Sequence, residues 1–280
     1  MIRIIEVGPR DGLQNEKTII STERKVAFVN ALSLTGVDEI EVSAFVSPAW
    51  VPQLADASEV FRKINRVKGI TYSALVPNEQ GLDRALEARV DKLAVFTAAS
   101  ETFNRRNINA TISESIARFI PVVSRALAEK HYVRGYISTA FWCPYEGRIS
   151  PEKVVDVVRQ LDDLGVQEFS IGDTIGTARS SEVEELLDLL LKLVSAERIT
   201  MHFHDTHGQA LDNAVAAWKH GITAFDGSAG GLGGCPYAPG APGNVATESL
   251  VERLTTEGAQ SQVDCSALRR ASRILSGIES

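Results

Sequence analysis

The sequence predicts an α/β protein with the architecture of a (β/α)8 barrel, that is, a TIM barrel. Short runs rich in Val and Ile alternate with longer segments of helical period, which is typical of βα units around a parallel sheet. Eight such pairs fill about 255 residues, the usual size of this barrel. No GxGxxG motif follows the first strand, so a dinucleotide-binding sheet is not indicated. We therefore interpret residues 1–280 as a single barrel domain.

The elements are assigned in chain order. Strands are predicted at 2–7, 38–43, 70–76, 92–97, 133–140, 168–172, 199–204 and 224–228. Helices are predicted at 21–34, 52–66, 78–88, 111–130, 151–164, 180–194, 208–219 and 245–255, with an extra C-terminal helix at 264–278. Helix starts are marked by candidate N-caps and a first-turn proline (Ser21, Ser113, Ser181, Pro151), and helix ends by glycines (Gly36, Gly165, Gly221).

Polar residues gather where the predicted strands end, which is where a barrel of this kind builds its active site. The first, second, sixth, seventh and eighth strands each end in such residues: Arg10 and Asp11; Glu41 and Ser43; Asp173 and Thr174; His202, His204 and Asp205; Asp226 and Ser228. The sequence thus predicts one polar site at the carboxyl end of the barrel.

Composition excludes several classes of protein. The chain is 44% hydrophobic and 23% charged, with a formal net charge of −7, so it has no positive field to collect nucleic acid. Its three cysteines are far apart and include no CxxC, which argues against a disulfide framework and a structural zinc site. The N-terminus lacks the pattern of a secretory leader, and no apolar run approaches the roughly 18 residues of a membrane span. We expect a cytoplasmic protein that binds neither nucleic acid nor membrane.

Three of the five histidines fall within residues 202–207. On a strand, His202 and His204 share one face, because side chains two residues apart point the same way. Two imidazoles at the barrel mouth form half of a metal site, and other loops must supply the remaining ligands. The alternative is a pair of hydrogen-bonded core histidines.

Arg10 and Asp11 follow the first strand in a Pro-Arg-Asp-Gly turn. The turn has a structural explanation as a capped loop, because Asp and Gly are common turn residues. Beside two histidines, however, Asp11 offers a carboxylate ligand, and the fixed guanidinium of Arg10 can stabilise a developing oxyanion. Glu41 lies on a strand expected to be buried on both faces, so we expect it to contact Arg10 or another site group.

A glycine-rich loop follows the eighth strand. Residues 230–243 contain six of the chain's 21 glycines and three of its 10 prolines. Such loops are often lids, and this one would present Cys235 to a closed site, unless it is a plain connection with an inert thiol. Asn244 is expected to be the N-cap of the following helix, and its amide oxygen could also ligate a cation. Nitrogen and oxygen ligands without thiolate favour Mg²⁺ or Mn²⁺, with Zn²⁺ as the alternative.

These stretches resemble the 3-hydroxy-3-methylglutaryl-CoA (HMG-CoA) lyases, within the larger group of metal-dependent (β/α)8 lyases and acyl transferases. The similarity covers nearly the whole chain and is carried by EVGPRDGLQNEK, FVSPAWVPQ, ASETFNRRNIN, WCPYEGRISPEKV, GDTIGT, HFHDTHGQA and GGLGGCPYAPGAPGNVATE. The resemblance implies cleavage of an acyl-CoA thioester to acetyl-CoA and acetoacetate, with roles in leucine degradation and ketone body formation. A homo-oligomer is compatible with the sequence.

The resemblance also implies roles for individual residues. A divalent cation would be bound by Asp11, His202, His204 and Asn244. Catalytic or site-organising roles would fall to Arg10, Glu41, Asp173, Cys235 and Glu248, in addition to Asp11 and His202. Ser170 and Thr174 would lie near the substrate together with Arg10, and Asn107 would lie near the CoA portion.

The cleavage chemistry makes its own demands on such a site. Breaking the C2–C3 bond of a 3-hydroxyacyl thioester requires removal of the C3 hydroxyl proton and leaves an enolate whose charge must be held. A bound divalent cation would lower the pKa of this hydroxyl. Asp11 or His202 could accept the proton, Arg10 could stabilise the enolate oxygen, and Cys235 could protonate the acetyl carbon.

Four residues depart from the family's usual pattern: Ala44, Phe141, Trp142 and His207. Ala44 removes a hydroxyl beside the expected acyl pocket, and the two aromatic residues add bulk near the end of the fifth strand. These changes allow an alternative substrate with another group on C3, such as citramalyl-CoA or a longer branched glutaryl-CoA. A Claisen-condensing acyl transferase and a catalytically silent metal-binding protein are further alternatives.

Overall fold

Eight parallel strands close into a barrel in a computed structural model that describes residues 1–234 and 243–275. The strands are β1 Arg3–Glu6, β2 Glu39–Ala44, β3 Thr71–Leu75, β4 Lys92–Ala98, β5 Tyr132–Ser138, β8 Glu168–Asp173, β9 Ile199–Phe203 and β10 Ala224–Gly227. Around the barrel they follow the order β1, β10, β9, β8, β5, β4, β3, β2. All eight predicted strands are present, and no strand end differs from the prediction by more than two residues.

Helices cover the outside of the barrel. They are α1 Thr22–Leu32, α2 Ala57–Lys63, α3 Glu79–Glu87, α4 Glu101–Ile108, α5 Ile112–Ala128, α6 Pro151–Asp163, α7 Ser180–Leu190, α8 Ala210–Lys219, α9 Thr247–Thr256 and α10 Cys265–Ser272. The eight predicted helices and the C-terminal helix are confirmed, although α10 ends earlier than expected and residues 276–280 lie outside the described part. Within the described ranges, no helix has the length and hydropathy of a membrane-spanning segment.

Helix caps follow the prediction in part. Ser21 caps α1 by accepting a hydrogen bond from the Arg24 N–H, and Pro151 occupies the first turn of α6. The predicted caps Ser113 and Ser181 are wrong. Thr111 caps α5 instead, because Glu114 three residues later completes a reciprocal capping box with it. Similarly, Ser181 lies inside α7, whose N-cap is Arg179.

A short helix and a two-stranded hairpin were not predicted. The short helix α4 begins after Ser100, whose hydroxyl accepts the Phe103 N–H, but its polar sequence ETFNRRNI has little apolar periodicity. A two-stranded hairpin, β6 (Trp142–Cys143) and β7 (Gly147–Arg148), follows β5. Strands of two residues are too short to show an alternating pattern.

The barrel interior is charged, and the apolar core lies between the strands and the helices. Large apolar side chains fill that outer layer, including Phe28, Phe45, Phe169, Phe203 and Phe225. Buried charged side chains include Glu39, Glu41, Lys92, Arg134, Glu168 and Asp226. Lys92 bonds both Glu39 (2.8 Å) and Glu168 (2.9 Å), so these charges compensate one another. The interior thus places ionic groups directly beneath the barrel mouth.

Candidate metal centre and substrate cavity

Three candidate ligands converge at the carboxyl end of the barrel. His202 is on β9 and His204 follows it, and their ring centroids are 5.3 Å apart. Met201 and Phe203, on the opposite face of the strand, are buried in the apolar core. One ligand atom from each of Asp11, His202 and His204 lies within 4.8 Å of the other two. The structure therefore brings together three of the four residues that the sequence suggested as metal ligands.

A tight helical turn after β1 holds Asp11 in this cluster. The Val7 carbonyl accepts hydrogen bonds from the N–H groups of Arg10, Asp11 and Gly12. The Asp11 carboxylate accepts from Arg10 Nη1 (2.5 Å) and Gln14 Nε2 (3.0 Å). Burial alone would raise the pKa of Asp11, but Arg10, His202 and His204 outweigh it and lower the pKa to about 2. Asp11 is therefore an ionised carboxylate at neutral pH.

Arg10 is fixed by two carboxylates, the buried Glu41 and the partly buried Asp11. Its Nε donates to Glu41 Oε2 and its Nη1 to Asp11 Oδ1, each at 2.5 Å. The guanidinium also lies over the Tyr136 ring, 5.0 Å from its centroid. Burial opposes the charged form, but Glu41 and Asp11 raise the pKa of Arg10 above its ordinary value. The predicted contact between Glu41 and Arg10 is confirmed. The guanidinium of Arg10 cannot move without breaking this contact.

Asn244 reaches the cluster from the far end of the glycine-rich loop. Its Nδ2 donates to Asp11 Oδ2 (2.8 Å), and its backbone forms an isolated bridge with His204. The prediction that Asn244 caps the following helix is wrong, because Ala246 is the N-cap of α9. Gly233 permits this approach: a Cβ there would lie 2.9 Å from both Asn244 Nδ2 and Gly12 Cα. Asn244 thus has a place at the cluster rather than at the helix start.

The two histidines do not form a hydrogen-bonded core pair. His202 Nδ1 lies 3.1 Å from Asp226 Oδ2, whereas the buried Nδ1 of His204 has no hydrogen-bond partner among the described residues. Burial, together with His202, lowers the pKa of His204 to about 4, so its imidazole is neutral at pH 7. A neutral, unpartnered imidazole beside a carboxylate is suited to bind a divalent cation.

A cavity of about 920 Å³ opens at this cluster. It reaches from the barrel mouth to α4 and α5, where Arg106 and Arg118 line it, and its apolar wall includes Leu75 and Phe96. Eight of the suggested site residues line it: Arg10, Asp11, Asn107, Ser170, Thr174, His202, His204 and Asn244. The size and the arginines suit an elongated anionic ligand.

Two suggested catalytic residues are directed elsewhere. The Asp173 carboxylate accepts the N–H groups of Thr177 (3.2 Å) and Ala178 (3.1 Å), and burial raises its pKa to about 6. Glu248 accepts the Gly230 N–H with both oxygens. Neither is among the described residues that line the cavity. Asp173 holds the loop that follows β8, and Glu248 holds the loop that follows β10. Cys235, a third suggested catalytic residue, lies outside the described residues.

The four departures from the family pattern also lie away from the cavity wall. Phe141 stacks on Phe203, with ring centroids 6.5 Å apart, and Trp142 Nε1 donates to Glu182 on α7. Ala44 is buried, whereas His207 is exposed. None of the four is among the described lining residues. Phe141 and Trp142 thus contact β9 and α7, and they do not line the described cavity.

Glu6 is a site-organising residue that the sequence reasoning missed, although it begins the EVGPRDG motif. Its buried carboxylate accepts the N–H groups of Gly8 and Ala229, both at 2.9 Å, and the Thr247 hydroxyl at 2.6 Å. It thereby joins the turn that carries Asp11 to the loop after β10 and to α9. The sequence did contain a signal for this role, because a glutamate within a buried barrel strand requires hydrogen-bond partners.

We expect Glu6→Gln to remove a pH dependence of stability. Burial raises the pKa of Glu6 from 4.5 to about 7, against the opposing hydrogen bonds. Between these two values the folded chain retains a proton that the unfolded chain releases. The free energy of unfolding of the wild type therefore falls as the pH rises through 7. The Gln variant lacks this titration. Its free energy of unfolding minus that of wild type should therefore increase by about 2 kcal/mol from pH 5 to pH 8. Urea unfolding at several pH values measures this difference.

The exposed Glu184 on α7 gives a matched control for Glu6. Glu184→Gln should follow the wild-type pH profile. A Glu6→Gln difference that stays constant from pH 5 to 8 would show that Glu6 does not titrate in this range.

The family model described as HMGL-like matches residues 1–275. The chain belongs to the HMGL-like family. Hydroxymethylglutaryl-CoA lyase YngG of Bacillus subtilis is 48% identical over 272 residues, covering 97% of this chain and 91% of its own length. The 3-hydroxy-3-isohexenylglutaryl-CoA/hydroxy-methylglutaryl-CoA lyase of Pseudomonas aeruginosa is 49% identical, covering 95% of this chain and 89% of its own.

A solved structure shares the same barrel. The crystal structure of the HMG-CoA lyase from Brucella melitensis has a TM-score of 0.96 at 46% identity, covering 98% of this chain and 96% of that one. The predicted (β/α)8 barrel and the family resemblance are both confirmed.

Proposed function

We propose that this chain is a carbon–carbon lyase that cleaves HMG-CoA to acetyl-CoA and acetoacetate. The observation that carries the proposal is the Asp11–His202–His204 cluster beside a fixed Arg10, at one end of a cavity of about 920 Å³. HMG-CoA is the substrate common to the names of the two relatives above.

The residues present fit a divalent cation. Asp11 is ionised, His204 is neutral with an unpartnered buried nitrogen, and Asn244 lies within hydrogen-bond distance of Asp11. Asp11, His202, His204 and Asn244 would hold the ion. When bound, the ion would act as a Lewis acid and lower the pKa of the C3 hydroxyl of the substrate. The donor set of oxygen and imidazole nitrogen favours Mg²⁺ or Mn²⁺, with Zn²⁺ as the alternative.

The remaining steps belong to side chains of this chain. Asp11 accepts the C3 hydroxyl proton, because Nδ1 of His202 faces Asp226 and the other ring nitrogen of His202 would hold the ion. The C2–C3 bond then breaks, and C3 becomes the ketone carbon of acetoacetate. The electron pair passes to C2, and Arg10 stabilises the charge that develops on the thioester oxygen. Protonation of C2 then gives the methyl group of acetyl-CoA. Ser170 and Thr174 line the acyl end of the cavity, and Asn107 lines the end assigned to the CoA portion.

The alternative substrates are not favoured. They were suggested by Ala44, Phe141, Trp142 and His207, and none of these is among the described residues that line the cavity. A Claisen-condensing activity has no supporting observation in the described residues.

A substrate panel tests the proposed reaction. The purified chain, supplied with Mg²⁺ or Mn²⁺, should release acetyl-CoA and acetoacetate from HMG-CoA in equal amounts. We expect citramalyl-CoA and a longer branched 3-hydroxyglutaryl-CoA to react more slowly. Release of acetyl-CoA from another member of the panel but not from HMG-CoA would refute the substrate, and no cleavage at all would refute the lyase.

Cys235 is proposed as the acid that protonates C2. We expect Cys235→Ser to lower turnover by about 10²-fold or more, because a hydroxyl is a far weaker acid than a thiol, while metal affinity stays unchanged. A thiol reagent should inactivate the wild type, and substrate should protect it.

The other cysteines provide the control. Cys143 is buried, and Cys265 is partly exposed on α10, so labelling must be mapped to the residue. Cys265→Ser should retain normal turnover. Near-normal turnover of Cys235→Ser would remove Cys235 from the mechanism and leave its loop as a cover.

Several wider expectations stay predictions. These are the single-domain organisation, the cytoplasmic location, the roles in leucine degradation and ketone body formation, the lack of nucleic-acid and membrane partners, and a homo-oligomeric state.

A further inference from the structure

Asp226 on β10 directly contacts one of the proposed metal ligands. Asp226 and His202 are register partners on the neighbouring strands β10 and β9. Asp226 Oδ2 lies 3.1 Å from His202 Nδ1, and the Asp226 side chain is 1% exposed. None of the cleavage steps above uses this carboxylate.

The other partners of Asp226 decide which atom carries the hydrogen. Arg134 Nη2 donates to both carboxylate oxygens, at 2.5 and 2.6 Å, and the Ser170 hydroxyl donates to Oδ2 at 2.9 Å. A carboxylate bonded to a guanidinium in this way is ionised, and an ionised carboxylate can only accept hydrogen bonds. His202 Nδ1 must therefore be the donor. Its Nε2 is left with the lone pair that a cation would require.

Neighbouring groups also fix the plane of the His202 ring. The Tyr136 ring meets it edge-on, with centroids 6.4 Å apart and an interplanar angle of 89°. Nδ1 is occupied by Asp226, so Nε2 is the nitrogen available to join the carboxylate of Asp11 and the imidazole of His204.

We propose that Asp226 is a positioning residue that holds His202 in the Nδ1–H tautomer, with Arg134 keeping the Asp226 carboxylate charged. The imidazole then presents Nε2 to the Asp11–His204 cluster. A carboxylate behind a ligating histidine fixes the ring and its tautomer in many metal sites. The importance of this tautomer for metal binding rests on the proposed function. The alternative is that Asp226 only neutralises Arg134.

The tautomer can be observed in the wild-type chain. Two-bond ¹H–¹⁵N spectra of the ¹⁵N-histidine-labelled, metal-free protein at pH 8 distinguish Nδ1–H from Nε2–H, and the signal missing in His202→Gln identifies His202. We expect Nδ1–H. An Nε2–H tautomer in the wild type would overturn the inference, whether or not any variant at position 226 folds.

Asp226→Asn tests the consequence for metal binding. Arg134 should retain the amide oxygen, so the amide NH₂ would face His202 Nδ1 and force the Nε2–H tautomer. We expect this tautomer switch and a loss of Mn²⁺ affinity of at least about tenfold, measured as free Mn²⁺ by electron paramagnetic resonance. A variant that keeps Nδ1–H, or binds Mn²⁺ as tightly as wild type, would overturn the inference.

Thr200→Val is the matched control. Thr200 lies on β9 two residues before His202, and its buried hydroxyl donates to Glu168 Oε1 at 3.2 Å. This variant disturbs the same charged interior without removing a contact to His202, so tautomer and Mn²⁺ affinity should both match wild type. If the wild type binds no Mn²⁺, the proposed metal centre fails, and the tautomer of His202 alone then decides the role of Asp226.

Discussion

We expect Arg10→Met to lower turnover of HMG-CoA by about 10²-fold or more, with a much smaller change in KM. Arg10 Nε bonds Glu41 and its Nη1 bonds Asp11, which leaves Nη2 without an acceptor among the described residues. The guanidinium lines the cavity, where the negative charge it faces develops only as the C2–C3 bond breaks. Steady-state kinetics with saturating Mg²⁺ measure both constants.

Arg66→Met is a matched control for the loss of an arginine. Arg66 also bonds a carboxylate, Asp91 at 2.9 Å, and lies over the ring of Phe61, but it is not among the described cavity residues. Its turnover should equal that of wild type. An Arg10→Met variant that changed KM alone would make Arg10 a binding anchor and would refute its transition-state role.

The fold was largely predictable because most barrel strands are short runs of mainly apolar residues, many of them β-branched, that are separated by helical segments and turn residues. All eight strands were located, as were the helices with a clear apolar period, such as α5 and α6. The errors have local causes. A reciprocal cap with Glu114 fixes the start of α5 at Thr111. The polar helix α4 depends on one Ser cap and on packing against the barrel.

The site was predictable only where strand periodicity or motif order placed residues together. His202 and His204 share a face, and the end of β1 brings Asp11 opposite them. The hydrogen bonds and ion pairs of the other side chains could not be deduced in the same way. Asp173 and Glu248 bind loop N–H groups, and the Asp226–Arg134 ion pair crosses the barrel between strands that are not neighbours. The ion pair depends on barrel register and the loop bonds depend on loop conformation, and local sequence pattern determines neither.

We expect His204→Ala to abolish measurable cation binding and, with it, lyase activity. His204 offers a neutral buried imidazole whose Nδ1 has no other partner among the described residues. Its loss leaves Asp11 and His202 as the remaining members of the cluster, so Mn²⁺ affinity should fall at least about 100-fold. Titration of free Mn²⁺ measures the affinity, and a chelator should inactivate the wild type reversibly.

The same loop supplies the control that separates ligation from general damage. His207 lies three residues further along, is exposed and does not line the described cavity, so His207→Ala should bind Mn²⁺ and turn over HMG-CoA like wild type. Thermal unfolding of the metal-free proteins checks that His204→Ala is folded. Full activity in chelator, or unchanged Mn²⁺ affinity in folded His204→Ala, would refute the metal centre. If His204→Ala loses Mn²⁺ affinity and His207→Ala does not, the cation binds at the cluster at the barrel mouth. His207 is a valid comparison because it carries the same imidazole on the same loop.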